Sequence, residues 1–288
     1  MRFVKLHGYG NDYIVIEEES LVGVGRIHEF VRQICDRHFG AGADGVALIS
    51  RPHGDEPGDF SDFAVRIFNP DGSEAAMSGN GSRCAAAYLY FRQLWSQDPL
   101  RLATRAGVKT YRLREANDAG NYCFEAEIGR PLFESAAIPM LTAQAFERVI
   151  DYPLAVEGEN ISVTALQMCN PNCCVFVDDF DRINWRRIGR AIETHAQFPE
   201  KTNVEFIRVL NRSHIEVRIW ERGVGETLSS GTGSCAAVVA AIINNVAERR
   251  VRVTTPGGDL QVEWREIDGE VVLIGTAEVI YRGEWIKS

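Results

Sequence analysis

The chain has 288 residues, of which 45% are hydrophobic and 25% are charged. A chain of this length and composition can bury a large core, and we expect two domains of similar size. The formal net charge of −9 argues against a nucleic-acid-binding protein, because such proteins usually carry a basic surface.

The N-terminal residues lack the apolar core of a signal peptide, and no apolar run approaches the length that spans a bilayer. We therefore expect a cytoplasmic protein without a membrane partner. The seven cysteines are scattered, so free thiols are the expected state. Cys169, Cys173 and Cys174 are close in sequence, but no second ligand pair follows, which favours packing over a metal site.

The first half of the chain alternates strand and helix patterns. Residues 3–16 read as two strands around a glycine turn with Asn11 at its tip, and 27–36 read as a helix. Gly40, Gly42 and Gly45 satisfy G-x-G-x-x-G, but the motif runs from helix to strand, whereas a dinucleotide site requires strand to helix. Further strands are predicted at 63–68, 100–104, 109–114 and 122–128.

A break at Gly129-Arg130-Pro131 predicts the domain boundary. We assign residues 1–130 to an N-terminal lobe, to which a strand in 275–288 returns, and 131–274 to a C-terminal lobe. In the second lobe the patterns predict a helix at 185–194 and strands at 161–168, 173–177, 203–207 and 215–220. Two short strands follow Val251, and a last strand covers 278–281.

Two similar stretches stand out, Ser78-Gly79-Asn80-Gly81 and Ser230-Gly231-Thr232-Gly233. Each reads as a glycine turn that begins a helix, because apolar residues follow at helical spacing. The predicted apolar faces are Cys84, Ala87, Tyr88, Phe91 and Trp95 in the first helix, and Cys235, Val238, Val239, Ile242 and Val246 in the second. The shared frame predicts an α+β protein of two pseudo-symmetric lobes.

A glycine turn at a helix start directs backbone N–H groups and the positive end of the helix dipole at one point, where a carboxylate or phosphate can bind. Two such turns predict a ligand held between two lobes. Ser78 and Ser230 could be ordinary N-caps. Cys84 and Cys235 each lie in an apolar stripe, which favours packing over a nucleophilic role.

Asparagines lie in turns or at strand ends near these motifs, and as a set they could bind the ammonium and carboxylate groups of an amino acid. Glu221 and Arg222 end a strand just before the second glycine turn. They could form a surface ion pair of little energy, or they could face a ligand as ammonium partner and carboxylate fork.

Seven segments in this order resemble the diaminopimelate epimerase family and extend over nearly the whole chain. They are Gly8-Tyr9-Gly10-Asn11-Asp12, Asn69-Pro70-Asp71-Gly72-Ser73-Glu74, Ser78-Gly79-Asn80-Gly81-Ser82-Arg83-Cys84, Asn170-Pro171-Asn172, Thr202-Asn203-Val204-Glu205-Phe206, Glu221-Arg222-Gly223-Val224-Gly225-Glu226-Thr227 and Ser230-Gly231-Thr232-Gly233. The resemblance implies two lobes, each with a curved mixed or antiparallel sheet wrapped around a central helix, and a ligand cleft between them. It also implies no pyridoxal phosphate, no metal and a homodimer.

In that family a thiolate removes the α-proton from one face of the substrate, and an opposite thiol returns a proton to the other face. The matching positions here hold Ser78 and Ser230. A free thiol ionises near pH ~8.5 and a hydroxyl is far less acidic, so a serine base requires an activating neighbour. Asn172 replaces a family histidine, and Gly45 stands where the family commonly has glutamine.

The resemblance carries the recognition residues over position by position. Asn11, Gly79, Asn80, Gly231 and Thr232 would hold the reacting α-centre. Asn69, Asn170, Asn203 and Arg222 would bind the remote amino-acid end. Glu221 would support the ammonium group or the second base.

The sequence thus predicts an isomerase without cofactor that converts L,L-diaminopimelate to the meso form, in the supply of lysine and peptidoglycan precursors. Ser78 and Ser230 take the two acid and base positions. Two alternatives are an amino-acid-binding protein that has lost proton transfer, and a related isomerase or dehydratase acting on another small acid.

Overall fold

The computed structural model of the protein describes residues 1–21, 23, 25–52 and 60–286. The chain divides into two compact units, one formed by Met1–Ala126 with Gly275–Ser288 and the other by Glu127–Ile274. In the described residues, no helix is long and apolar enough to cross a membrane.

In the residues that the structure describes, the first unit contains two α-helices and all or part of nine strands. Its elements are β1 (Arg2–Gly8), β2 (Asn11–Glu17), α1 (Ile27–Cys35), β3 (Gly45–Ser50), β4 (Phe63–Phe68), β5 (Glu74–Ala75), α2 (Gly79–Phe91), β6 (Leu100–Thr104), β7 (Gly107–Ala116), β8 (Asn121–Gly129) and the C-terminal part of β17 (Val271–Glu284). Strand β2 pairs in parallel with β3, and β4 pairs in parallel with β6. Each parallel pair is joined by a connection that includes a helix, as parallel strands require.

The second unit repeats this order of elements. It contains β9 (Val149–Val156), β10 (Glu159–Gln167), β11 (Pro171–Phe176), α3 (Trp185–Glu193), β12 (Asn203–Asn211), β13 (His214–Glu221), β14 (Gly225–Thr227), α4 (Gly231–Ile243), β15 (Arg250–Thr255), β16 (Gly258–Trp264) and the start of β17. Strands β11 and β12 are parallel and are joined through α3. Strands β13 and β15 are parallel and are joined through α4.

Each unit encloses one helix that is buried on all sides. Residues 80–89 of α2 are all buried, and so are 233–241 of α4. Helix α2 packs against β1, β2, β3, β4 and β6, and α4 packs against β10, β11, β12, β13, β15 and β16. A helix with no exposed polar face has to be covered on all sides. The predicted α+β class, with a sheet around a central helix, is confirmed.

The two central helices end earlier than predicted. Gln93 and Asn245 have φ of 57° and 60°, in the left-handed region that ends a helix. The next amides bond back to the last turn, Leu94 N to Leu89 O at 2.9 Å and Val246 N to Ala241 O at 3.0 Å. These are Schellman motifs. Trp95 and Val246, predicted on the helical faces, therefore lie beyond the helices.

The other predicted helices and strands are confirmed with shifts of a few residues at their ends. The last strand is longer than predicted, because β17 extends from Val271 to Glu284 and pairs with both β16 and β1. Strand β9 was not predicted. Its sequence, Val149–Val156, includes a proline and an exposed aspartate, which obscure the strand pattern.

A charged cluster holds the β1–β2 hairpin against the loop before β3. Lys5 Nζ lies 2.8 Å from Asp12 Oδ2 and also donates to the Gly42 carbonyl. Arg37 Nη2 donates to Asp12 Oδ1 at 2.9 Å and to Asp44 Oδ1 at 2.6 Å. Burial raises the pKa of Asp12, but hydrogen bonds from Arg37, Lys5 and Asp44 outweigh it and lower that pKa to about 2.

We expect Asp12→Asn to destabilise the protein by about 2 kcal/mol at neutral pH, since the pKa falls from 3.8 to about 2 on folding. A lowered pKa contributes stability that is complete above the pKa of the unfolded chain and lost as the pH falls towards 2. The loss should therefore be constant from pH 8 to 5 and shrink below pH 4. Urea unfolding at each pH measures it.

The exposed Asp118→Asn is the matched control and should change little at any pH. An equal loss for Asp12→Asn at pH 7 and pH 3 would contradict the assignment to the carboxylate charge.

Candidate active site

Ser78 caps the central helix of the first unit. Its backbone is extended, with φ −135° and ψ 124°, and Gly81 N donates to its Oγ at 3.1 Å. Tyr13 Oη also donates to Ser78 Oγ, at 2.8 Å. Helix geometry leaves the N–H groups of Gly79 and Asn80 without an intrahelical acceptor. The predicted donors Gly79 and Asn80 thus begin the helix directly after the serine.

The predicted asparagines Asn11 and Asn80 are joined to each other beside this cap. Asn80 Nδ2 donates to Asn11 Oδ1 at 3.2 Å, and Asn11 Nδ2 donates to Asp44 Oδ2 at 3.0 Å. The fully buried Arg83 donates to Asn80 Oδ1, and its Nε donates to Thr276 O at 2.9 Å. Both amides are therefore held in a defined orientation, with Asn80 buried.

Two further predicted site residues of the first unit have surroundings unlike those of Asn11 and Asn80. Asn69 is exposed, and its Nδ2 donates to Ser73 Oγ at 3.0 Å within the same turn. Within the described chain it is not part of the hydrogen-bonded group around Ser78. Gly45 lies opposite Tyr13 in the parallel pairing of β2 and β3, where an added Cβ would lie 2.7 Å from the Tyr13 ring.

Ser230 caps the central helix of the second unit in the same way. Its φ of −132° and ψ of 129° are extended, and Gly233 N donates to its Oγ at 3.4 Å. Gly231 and Thr232 are the first helical residues. Burial raises the pKa of Glu221, and the hydroxyls of Ser230 and Thr227 lower it in part. The structure therefore places a carboxyl group beside Ser230.

Four predicted residues of the second unit form a chain of hydrogen bonds. Asn172 Nδ2 donates to Asn170 O at 2.6 Å, and Asn203 Nδ2 donates to Asn172 Oδ1 at 3.3 Å. Asn203 Oδ1 accepts from Arg222 N at 2.9 Å. Asn172 and Asn203 are direct partners across β11 and β12, which explains their contact. Asn172 is fully buried, and its amide donates one of these hydrogen bonds and accepts another.

The turn after Glu221 is supported from helix α3. Glu193 Oε1 accepts from Gly223 N at 2.9 Å, and Glu193 Oε2 accepts from Trp220 Nε1 at 2.8 Å. The Arg222 guanidinium is exposed and donates to Glu200 O at 3.0 Å. The sequence prediction missed Glu193, because a glutamate in an amphipathic helix usually lies on the exposed face.

A second buried carboxyl lies under the start of α4. Glu205 is fully buried, and an added Cβ at Gly233 would lie 2.9 Å from its Oε1. Burial raises the pKa of Glu205 well above its usual value, the neighbouring Glu221 raises it further, and a hydrogen bond with Cys174 lowers it in part. The neutral form of Glu205 is therefore favoured relative to that of an exposed glutamate.

The cysteines of the central helices are packing residues, as expected. Cys84 and Cys235 are fully buried. Burial raises the pKa of the Cys84 thiol to about 12. A thiol of this kind is a poor nucleophile at neutral pH. The polar groups at the helix starts are therefore the serines, the asparagines and the backbone amides.

We expect Glu205→Gln to stabilise the protein at alkaline pH. A carboxyl with a raised pKa stabilises the fold below the pKa of the unfolded chain and loses that contribution as pH rises, because the unfolded chain ionises first. The Tm at pH 8 should rise by about 2–4 °C, the shift that roughly 1 kcal/mol gives in a domain of this size. Thermal unfolding between pH 5 and pH 8 measures it.

The difference between Glu205→Gln and the unmodified protein should shrink at pH 5. The exposed Glu159→Gln in the same unit is the control, with no expected change. A Tm gain that does not depend on pH would rule out ionisation of Glu205 as the cause.

Known proteins resemble this chain along its whole length. The family model of diaminopimelate epimerase matches residues 3–131 and 164–280. A diaminopimelate epimerase of Pelotomaculum thermopropionicum is 42% identical over 286 residues, which cover 99% of this chain and 99% of the relative. One of Desulfitobacterium hafniense is 41% identical over 285 residues, covering 98% of this chain and 97% of the relative.

Solved structures with this fold include a hydroxyproline epimerase from Agrobacterium vitis, with a TM-score of 0.69 and 16% identity over 98% of this chain and 91% of that one. A phenazine biosynthesis protein of the PhzF family from Bacillus anthracis has a TM-score of 0.67 and 14% identity, covering 100% and 99%. At such identity these structures show the fold alone. The family model and the full-length relatives show more: the chain belongs to the diaminopimelate epimerase family.

Proposed function

We propose that the protein is a diaminopimelate epimerase that interconverts the L,L and meso forms of its substrate. The observation that carries the proposal is the duplicated helix start, in which Ser78 and Ser230 cap buried helices with glycine directly after them. Membership of the family supplies the substrate, a small amino acid. Ser78 and Ser230 are the two proton-transfer positions in this proposal.

The amides that follow each serine would bind the α-carboxylate of the substrate. Gly79 and Asn80 in one helix, and Gly231 and Thr232 in the other, present N–H groups at the positive end of a helix dipole. The same donors would stabilise the negative charge that develops when the α-carbon loses its proton. Asn11 and Asn80 are fixed by their mutual hydrogen bond, so they would contact the α-centre without reorganisation.

Glu221 would make Ser230 a competent base. As the substrate Cα–H proton passes to Ser230 Oγ, the hydroxyl proton of Ser230 passes to the Glu221 carboxylate, so the serine remains neutral. In the reverse direction both protons return. A raised pKa makes Glu221 a stronger base than an exposed glutamate, which suits this role.

The remote amino-acid end of the substrate would bind to Asn69, Asn170, Asn203 and Arg222. Arg222 has an exposed guanidinium, whose planar fork can bind a carboxylate through two hydrogen bonds. Its backbone is fixed by Asn203, and the following glycine is fixed by Glu193. A homodimer, a cytoplasmic location and the domain boundary at residue 130 stay predictions.

We expect Ser78→Ala and Ser230→Ala each to lower the epimerisation rate by about 100-fold or more, the usual contribution of a general acid or base. Proton NMR of L,L-diaminopimelate in deuterated water measures the loss of the α-proton signal and the formation of the meso product. Ser213→Ala, an exposed serine of the second unit, is the control and should keep full activity.

Substrate binding without α-proton exchange by the unmodified protein would contradict the proposal and favour an amino-acid-binding protein. Turnover by a Ser78→Cys, Ser230→Cys double variant would then show that the binding groups are intact and that only the bases are missing. Exchange or elimination with an acid that lacks the remote amino-acid end would favour the related isomerase or dehydratase.

Glu221→Gln should also lower the rate by about 100-fold, because the amide cannot take the proton from Ser230. In the unmodified protein the rate should rise with pH through the raised pKa of Glu221, since the ionised carboxylate is the acceptor. That acidic limb should disappear in Glu221→Gln. A variant that keeps the limb, measured as kcat against pH, would exclude Glu221 as the acceptor.

A further inference from the structure

We propose that Tyr13 is a positioning residue for Ser78, and that its phenol supplies a proton to Ser78 Oγ when this serine gives its own proton to the substrate α-carbon. The inference rests on the proposed function only in taking Ser78 as a proton-transfer position. Tyr13 lies in β2, 65 residues before Ser78, and its Oη donates to Ser78 Oγ at 2.8 Å.

The hydrogen bonds at Ser78 Oγ favour loss of its proton. The oxygen accepts from Tyr13 Oη at 2.8 Å and from Gly81 N at 3.1 Å, so both of its lone pairs are engaged. The hydroxyl hydrogen of Ser78 must then point away from both donors. When Ser78 Oγ gives its proton to the substrate α-carbon, the Tyr13 proton passes to Ser78 Oγ, and the negative charge moves to the more acidic phenol oxygen. In the reverse direction both protons return. The positive end of the α2 dipole favours this negative charge.

Two glycines leave the space that the Tyr13 ring occupies. Tyr13 is 6% exposed. A Cβ at Gly45 would lie 2.6 Å from Phe68 O and 2.7 Å from Tyr13 Cε1, and a Cβ at Gly81 would lie 2.8 Å from the same ring atom. A side chain at either position would displace the ring. Gly45 therefore provides the space in which the phenol reaches Ser78, which gives a physical reason for glycine at a position where the family resemblance predicts glutamine.

The other serine has a different neighbour. Ser230 lies beside the Glu221 carboxyl, which can accept a proton, whereas Ser78 receives a hydrogen bond from a phenol. A donor to the oxygen can replace the proton that Ser78 gives up, whereas an acceptor beside the hydroxyl can take the proton of Ser230. Tyr13 thus does for Ser78 what Glu221 does for Ser230, by the opposite kind of hydrogen bond.

A thiol introduced at position 78 reports on Tyr13 without any catalysis. The rate of iodoacetamide alkylation is measured against pH by peptide mass spectrometry for Ser78→Cys and for Ser78→Cys with Tyr13→Phe. If Tyr13 donates to this atom, its loss should raise the pH midpoint of alkylation by about one unit, as expected for a hydrogen bond to a charged group. An unchanged midpoint would overturn the proposal.

The matched control is Ser78→Cys with Tyr88→Phe. Tyr88 is a buried tyrosine of the same unit whose hydroxyl donates to Glu17 Oε1 at 2.6 Å, so its loss should leave the alkylation midpoint unchanged. A shift of the same size in this control would mean that loss of any buried phenol perturbs the unit, and it would also overturn the proposal.

Steady-state kinetics of the protein that retains Ser78 provide the second measurement. Tyr13→Phe should lower kcat about tenfold, leave KM unchanged and move the pH dependence of kcat upward. Equal kcat in Tyr13→Phe and the unmodified protein would overturn the role of Tyr13. Absence of α-proton exchange in the unmodified protein would instead contradict the proposed epimerase activity, and the alkylation midpoints would then decide on Tyr13 alone.

Discussion

The rest of the structure depends on how a helix can begin inside a protein when it is buried on all sides. Helices α2 and α4 carry long buried stretches, so their first N–H groups cannot all be left to bulk water. Ser78 and Ser230 each satisfy one of these groups through Oγ. The glycines that follow carry no side chain that could cover the remaining amides. A requirement of folding thus places the groups of the proposed binding site at each helix start.

In the proposed function the same hydroxyl caps a helix and transfers a proton, and this restricts which groups can lie beside it. A cap oxygen must accept a hydrogen bond from a helix N–H group. The acidity of its hydroxyl therefore depends on the second polar neighbour. Around Ser78 that neighbour is a donor, whereas beside Ser230 it is a carboxyl whose pKa is raised by burial. Burial behind the same helix raises the pKa of Glu205 and so disfavours a second negative charge near the proposed carboxylate site.

The sequence predicts what depends on local pattern and misses what depends on long-range contact. The helix starts at Ser78 and Ser230 follow from a local cap, and the alternation of 215–221 is seen in the burial of Ile215, Val217 and Ile219. The two helices end early because Gln93 and Asn245 adopt left-handed backbone conformations. Neither residue is a glycine, so the sequence does not indicate these ends. The Tyr13 contact joins residues 65 apart and depends on space at Gly45, which no local pattern reveals.

The repeated order of elements makes the backbone of the two units similar without making their side chains equivalent. Parallel pairing of β2 with β3 brings Tyr13 opposite Gly45 in the first unit, whereas the matching pair β11 and β12 brings Asn172 opposite Asn203. The first pair supports the cap of α2, and the second orients Arg222 through its backbone amide. Equivalent strands therefore support different groups, one of them the proposed proton-transfer residue and the other the proposed recognition residue Arg222. A serine can replace a thiol at each helix start only where such neighbours compensate for its weak acidity.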